Sequence, residues 1–350
     1  MLAKRLGLLA VALGLCCLAY MTYGAKGSWS FLIPFRGAKL ASLLLVAVSV
    51  STATVLFQTI TRNRILTPSI MGFDALYLLI VTGAVFFLGG QGFALLPNEV
   101  IFAVTVVALI GASLLLFGSL LLTGGRDLMR MILTGIIFGT LFRSLTNMMQ
   151  RMIDPNEFTL VQVASFARFS RVDTELLLIG GVLMTASLVV AWQMRHRLDV
   201  LALGYDAAIN LGEDPRRGHF QVLTLVAVLV SVSTALVGPV AFLGLLVVAM
   251  THQIMPTERH AILLPAAALV SGIVLVGGQT VLERVLSLAT PLSVVVDLLG
   301  GLVFLWLLLK GLRLKLLLFA QAEFRIETGE VDEAAVARRE RAYTVSAMEA

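Results

Sequence analysis

Apolar residues in this chain fall into long runs separated by short polar or basic segments. Ten runs stand out, at about 6–23, 38–60, 70–89, 98–122, 131–151, 174–193, 220–237, 239–255, 262–282 and 293–312. Each falls within the length of a membrane-crossing helix, about 17–25 residues. Lipid offers no partner to a bare backbone, so each run must be helical or buried in protein. The pattern therefore predicts an all-α polytopic membrane protein of about ten transmembrane helices. Lys4 and Arg5 precede the first run, and Thr22-Tyr23-Gly24 follows it as a candidate cleavage site. The length of the run favours a retained first span over a cleaved signal peptide.

One stretch departs from this rhythm. Between the sixth and seventh runs stands LDVLALGYDAAINLGEDPRRG, followed by an apolar run and then GPVAFLG. Leu201, Gly204/Tyr205, Ala208 and Leu211/Gly212 recur at helical spacing and give a short helix one small apolar face. Asp199 is suited to open that helix, and Gly212 and Pro215 to close it. Two readings remain: a helix shaped for a partner's groove, or an ordinary interfacial loop helix. SVSTA occurs twice, at Ser49–Ala53 and Ser231–Ala235, each inside a run and near a Gly- or Pro-rich loop, as in transporters built from two related halves.

Composition agrees with the pattern. Apolar residues make up 59% and charged residues 13% of the chain, and the mean hydropathy is +0.96. A soluble domain would carry about 25% charged residues. The formal charge of +5 is explained by membrane topology and gives no reason to expect nucleic acid. With the N-terminus inside, the inner segments hold Lys4, Arg5, Arg62, Arg64, Arg126, Arg130, Arg195, Arg197, Arg216, Arg217, Arg259, Lys310, Arg313 and Lys315. The outer ones hold only Lys26, Arg36, Lys39, Arg151, Arg168, Arg171 and Arg284. That asymmetry predicts both termini inside. Residues 1–318 read as the membrane domain, with the interfacial helix at about 198–213, and residues 319–350 as a polar cytoplasmic tail.

Candidate chemistry is sparse. The sequence has no G-x-x-x-x-G-K-[ST] phosphate loop, no H-E-x-x-H and no G-x-S-x-G, so it offers no basis for an enzyme. Cys16 and Cys17 are adjacent in an apolar run and read as packing residues. His196, His219, His252 and His260 fall near the inner face and read as loop histidines. The fifth run holds a polar stripe of Thr140, Arg143, Asn147 and Arg151 at helical spacing. An arginine at membrane depth costs about 2.5–3.5 kcal/mol on insertion scales, so it faces protein or water. The stripe either lines a pathway that favours anions, or Arg143 snorkels or bonds to another helix. Gln58 either joins that pathway or caps a helix end.

Several motifs in order resemble the FecCD-type permease subunits of binding-protein-dependent ABC importers for iron–siderophore complexes, haem and cobalamin. Arg36-Gly-Ala-Lys39 is similar to that family's Arg-x-x-Arg. LFQTITRNRILTPSIMGFDAL resembles its Leu-x-Gln-x-x-x-Arg-Asn-Pro segment, with Arg64 where proline is usual. LDVLALGYDAAINLGED resembles its coupling helix, and GPVAFLGLL its Gly-Pro-Ile-x-Phe-x-Gly-Leu. Val248-Ala249 replaces the usual Pro-His. QRMIDPNEFTLVQVASFARFSRVDTELL is similar to a subgroup importing ferric catecholate siderophores, in which two different permeases pair.

The resemblance implies a type II importer permease, N-in and C-in, acting as one half of a heterodimer in the bacterial inner membrane. It implies two ATPase subunits that hold the ATP and magnesium, so that this chain carries no cofactor. It also implies a periplasmic or lipid-anchored substrate-binding protein outside. Leu201, Gly204, Asn210, Leu211 and Gly212 would meet the ATPase, and Arg36, Lys39 and Arg284 the binding protein. Gln58, Arg143, Asn147 and Arg151 would line the pathway. A haem, cobalamin or other metal-chelate permease is the alternative. A metal-ion permease would need carboxylates or histidines in the spans, and an intramembrane enzyme a catalytic set at membrane depth. A structural or sensory subunit would make the coupling-helix match accidental.

Overall fold

The computed structural model describes residues 2–24, 28–124, 128–169, 173–286, 291–306 and 309. At the centre of the bundle lie α2 (Trp29–Thr61) and α10 (Pro215–Val237), whose apolar windows are each 67% buried. Both contain an SVSTA copy. These small residues let backbones approach closely, and their hydroxyls can bond within their own helix. Ser51 donates to the carbonyl of Ala47, and Thr54, just after the copy, to that of Val50, each at 2.8 Å. The repeated pentapeptide thus marks the two core helices.

Around this pair stand α1 (Leu2–Thr22), α3 (Phe73–Ala94), α4 (Asn98–Gly124), α5 (Leu128–Gln150), α7 (Thr174–Gln193), α11 (Leu243–Ile254) and α12, which begins at His260. α12 continues through two π-helical turns to Val285, and a further apolar helix spans Leu292–Trp306. Seven of these helices are long and apolar enough to cross a membrane; with α5, α11 and Leu292–Trp306 they fall where the ten runs lie. Among the described residues every regular element is helical. α10 packs against α4, α2 and α7, while α12 packs against α2 and α11. α1 lies at the edge, where Cys16 and Cys17 pack as half-buried apolar groups. Arg5 donates to the Ile254 carbonyl at 2.6 Å, which puts the start of α1 beside the end of α11.

Three features depart from the sequence reading. α2 begins at Trp29, not near 38, because Pro34, Arg36 and Lys39 interrupt the apolar run without ending the helix. A helix was missed altogether: α6 (Pro155–Ala164), opened by Asp154, whose carboxylate accepts from the Asn156 N–H at 2.9 Å. Finally, the interfacial stretch is two short helices, α8 (Arg195–Leu201) and α9 (Tyr205–Asn210). The polar tail, 319–350, lies outside the described residues.

The irregular segments after α2 and after α10 meet inside the bundle. Thr67, Pro68 and Ser69 share a small cavity with Val50, Thr54, Ser233, Thr234 and Gly238–Gly244 residues. Residues 62–72 therefore climb back along α2 before α3 starts. Such backbone is tolerated at membrane depth only where protein covers it.

Candidate functional site

α8 continues the line of α7, and α9 turns away at Gly204. Gly204 has φ +101, a left-handed conformation, and a Cβ there would collide with the Arg62 guanidinium. Only glycine meets both demands. α9 ends in a Schellman turn: the Gly212 N–H bonds the Ile209 carbonyl and the Glu213 N–H the Ala208 carbonyl, both at 2.9 Å, with Gly212 at φ +82. Asp214 then caps α10 by accepting from the Arg216 and Arg217 N–H groups, and Pro215 is the first helical residue. Asp199 opens no helix. Its carboxylate instead accepts from the backbone and ring of His260.

The surface of this stretch differs from the one expected. Leu201 is 2% exposed and lies against Gly218, so it faces the core and presents nothing to a partner. Gly204 is buried under Arg62. The exposed apolar side chains are Leu203, Ile209 and Leu211, at 60%, 49% and 61%. Asn210 and Gly212 are exposed beside them. Arg197 braces the stretch, donating to Glu213 at 2.7 Å and Gln221 at 3.0 Å. The result is a fixed, apolar-tipped knob with a charged rim. It can dock in a groove, and it carries no set of groups for bond chemistry.

Behind the knob lies a cavity of about 520 Å³, lined by residues of α2, the 62–64 turn, α11, α12, Ala202 and Leu203. Gln58 borders it, and its amide donates to the Arg64 carbonyl at 2.7 Å. That bond closes the turn after α2, so Gln58 holds backbone, and its exposure is only 6%. Arg64 pairs with Glu258 at 2.5 Å. His260 and His219 are buried within helices, not set in loops, because α10 and α12 start earlier than the apolar runs. Among the described residues no group of His, Cys, Asp or Glu is placed to hold a metal ion.

At the other end Arg36 is 3% exposed. Its guanidinium donates to the carbonyls of Tyr20, Met21, Tyr23 and Gly24 at 2.8–3.2 Å. These carbonyls have no partner within α1, and they carry the negative end of its dipole. Arg36 is therefore a cap for the end of α1, with its guanidinium buried in this chain. Lys39 is half-buried with its ammonium 4.5 Å from the Phe35 ring centre. Arg284, also half-buried, lies 3.9 Å from Glu283. The expected trio does not form one exposed basic patch.

α5 keeps its polar stripe on the surface of the single chain: Thr140, Arg143, Asn147 and Arg151 are all exposed. Arg143 bonds the Gly139 carbonyl of its own helix at 3.3 Å. Leu133, Ile137, Leu141 and Met148 are exposed on the same helix. A long helix with both polar and apolar exposed residues suits a face shared between a water-filled path and a second subunit. Gly72, at φ +92, meets the backbone of Gly139 and joins the 62–72 segment to α5. Sequence reasoning missed Asp74, which begins α3 beside Ser69 and lies within charge–charge range of Arg143 and Asp297. It also missed Glu157 of α6, whose carboxylate accepts from the Gly90 N–H at 2.7 Å, where α3 breaks at Gly89. The signal for α6 was present in Asp154-Pro155-Asn156-Glu157, an N-cap, a first-turn proline and an early acid.

The family model of the FecCD transport family matches residues 6–310. The petrobactin import system permease protein YclO of Bacillus subtilis is 42% identical over 302 residues, covering 86% of this chain and 96% of that protein. The petrobactin import system permease protein FatC of Bacillus anthracis is 33% identical over 277 residues, covering 79% and 78%. Among solved structures, an inward-facing conformation of a metal-chelate type ABC transporter superposes with a TM-score of 0.76 at 22% identity. That match covers 89% of this chain and all of the other. It establishes a shared fold.

Proposed function

This chain belongs to the FecCD transport family, and from that premise we propose that it is a permease subunit of an ABC importer for a ferric siderophore. It is a multi-pass protein of the bacterial inner membrane. The cargo is a ferric siderophore of the catecholate type, carried into the cytoplasm. The observation that carries this reading is the 42% identity to a petrobactin permease across nearly all of that protein's length.

In the proposed mechanism this chain pairs with a second, different permease across the exposed face of α5. Arg143, Asn147 and Arg151 border the path, where their positive charge draws in an anionic chelate. A binding protein delivers the chelate on the outer side, with Lys39 and Arg284 as candidate contacts. Two ATPase subunits hold ATP and magnesium. Leu203, Ile209, Asn210, Leu211 and Gly212 seat in an ATPase groove, so that ATP-driven closure pushes α9 and rocks the bundle between outward- and inward-facing states. This chain contributes the path and the coupling, and hydrolysis takes place on the partner. The cavity beside Ala202 and Leu203, between α8 and α9, supports the reading, because it leaves room for that junction to shift.

Uptake in an iron-limited strain lacking this gene tests the cargo. Defined ferric catecholate complexes are expected to enter only when the gene is restored. Undiminished catecholate uptake in the deletion strain, with loss of haem or cobalamin uptake instead, would assign the permease to the other chelates.

A further inference from the structure

α8 stands between the exposed knob and the bundle, and it is held in two different ways. Toward α10 Leu201 packs against Gly218, and Arg197 donates to Gln221 at 3.0 Å in a solvent-exposed bond. Apolar burial has no preferred direction, so the Leu201 contact can slide, and water competes for the exposed Arg197 bond. Toward α2 and α12 the packing is interrupted by the 520 Å³ cavity, whose lining includes Ala202, Leu203, Thr59 and His260. At its margin three polar side chains form a continuous chain. Asp199 of α8 accepts from the His260 backbone N–H at 2.8 Å and from ring Nδ1 at 2.7 Å. Ring Nε2 is 2.7 Å from the Thr59 hydroxyl of α2. The His260 side chain is 3% exposed and that of Asp199 33%, so the bond between the ring and Thr59 is shielded from water and the one to Asp199 only partly.

We propose that Asp199, His260 and Thr59 are positioning residues that lock α8 to α12 and α2, so that a push on α9 reaches the transport path. Hydrogen bonds weaken steeply when length or angle changes, so this tie fixes register where the Leu201 contact does not. With Nδ1 donating to the carboxylate, Nε2 of the neutral ring accepts the Thr59 proton; otherwise that hydroxyl bonds the Val55 carbonyl at 2.8 Å. The next residue along α2, Gln58, holds the turn at Arg64. That turn leads to Gly72, which rests on Gly139 of α5. A contiguous set of contacts thus joins the knob to the helix of Arg143.

The proposal rests on the importer reading. A native complex that bound no ATPase and moved no chelate would defeat that reading before any variant was made. The test uses the complete complex in lipid vesicles, measuring ATP hydrolysed and ferric siderophore imported. Asp199→Ala and Thr59→Val are expected to keep the ATPase bound and hydrolysing, while chelate moved per ATP falls about tenfold, the factor set by one lost buried hydrogen bond. Asp199→Asn keeps an acceptor and Thr59→Ser a hydroxyl, so both are expected within about twofold of native. The double variant Asp199→Ala/Thr59→Val is expected to be no worse than either single one, because both cut the same chain. Native coupling in Thr59→Val, losses that add in the double variant, or hydrolysis falling in step with transport would overturn the proposal. Thr59→Val exchanges only a hydroxyl for a methyl, so it decides the matter if the Asp199→Ala complex does not assemble.

Discussion

The guanidinium of Arg36 occupies a place that water or a capping glycine would fill at an ordinary helix end. Four carbonyls at the end of α1 converge on it. Arg36→Ala should therefore lower stability by about 1–3 kcal/mol, the penalty of leaving buried acceptors unpaired. The measurement is the thermal midpoint of the detergent-solubilised protein, with affinity for the binding protein followed in parallel. A native midpoint with weakened docking would return Arg36 to the surface role its motif suggested. The sequence could not settle this, because a basic residue before an apolar run looks the same whether it points out or folds back onto the preceding helix. Gly212 was legible for the opposite reason. A glycine after a short apolar pattern has few uses other than a left-handed helix end, and it takes that form here.

At the scale of elements, the two halves of the interfacial stretch divide labour. α8 is inward and tied, whereas α9 shows Ile209 and Leu211 to solvent. Leu211→Asp should abolish copurification of the ATPase while leaving expression and folding unchanged, since the side chain is exposed and its backbone ordinary. Gly212→Glu is a poorer probe, because a side chain at φ +82 strains the turn as well as charging the surface. Retention of the ATPase by Leu211→Asp would place the interface elsewhere. α6 makes a separate prediction. Glu157 accepts from the Gly90 N–H at the break in α3, so Glu157→Ala should speed hydrogen exchange at Gly90 and across α6. Unchanged exchange would show that α6 is held by its apolar residues. Hydrophobic runs located the ten membrane elements well. They could not split α8 from α9, because a break at Gly204 leaves the helical spacing on either side intact. They also missed α6, whose apolar residues are too few for a span.

For the whole molecule, the most buried of the candidate spans are the two with repeated small residues. Arg143 and Asn147 on α5, and Arg151 just past its end, stay exposed on the single chain, which is the observation behind the proposed pairing across this face. Neutralising Arg143 and Arg151 together to Gln should reduce uptake of an anionic chelate about tenfold through lost attraction along the path, without altering membrane level. Unchanged uptake with normal expression would remove the electrostatic role. The class and the positions of the apolar helices were readable from the apolar runs, because a chain that crosses a bilayer must place its apolar residues in continuous helical stretches. The polar stripe of α5 was readable from its helical spacing, whereas the path we propose along it has no counterpart in the sequence of one chain. Central to the account is that this chain couples a partner's ATP cycle to chelate entry through the surface from Leu203 to Gly212. The most direct measurement is ATP-dependent entry of a radiolabelled ferric siderophore into vesicles containing the complete complex, native or with Leu211→Asp. The account predicts entry in the native complex and none above the ATP-free background in the variant, at equal permease content. Equal entry in both would contradict it.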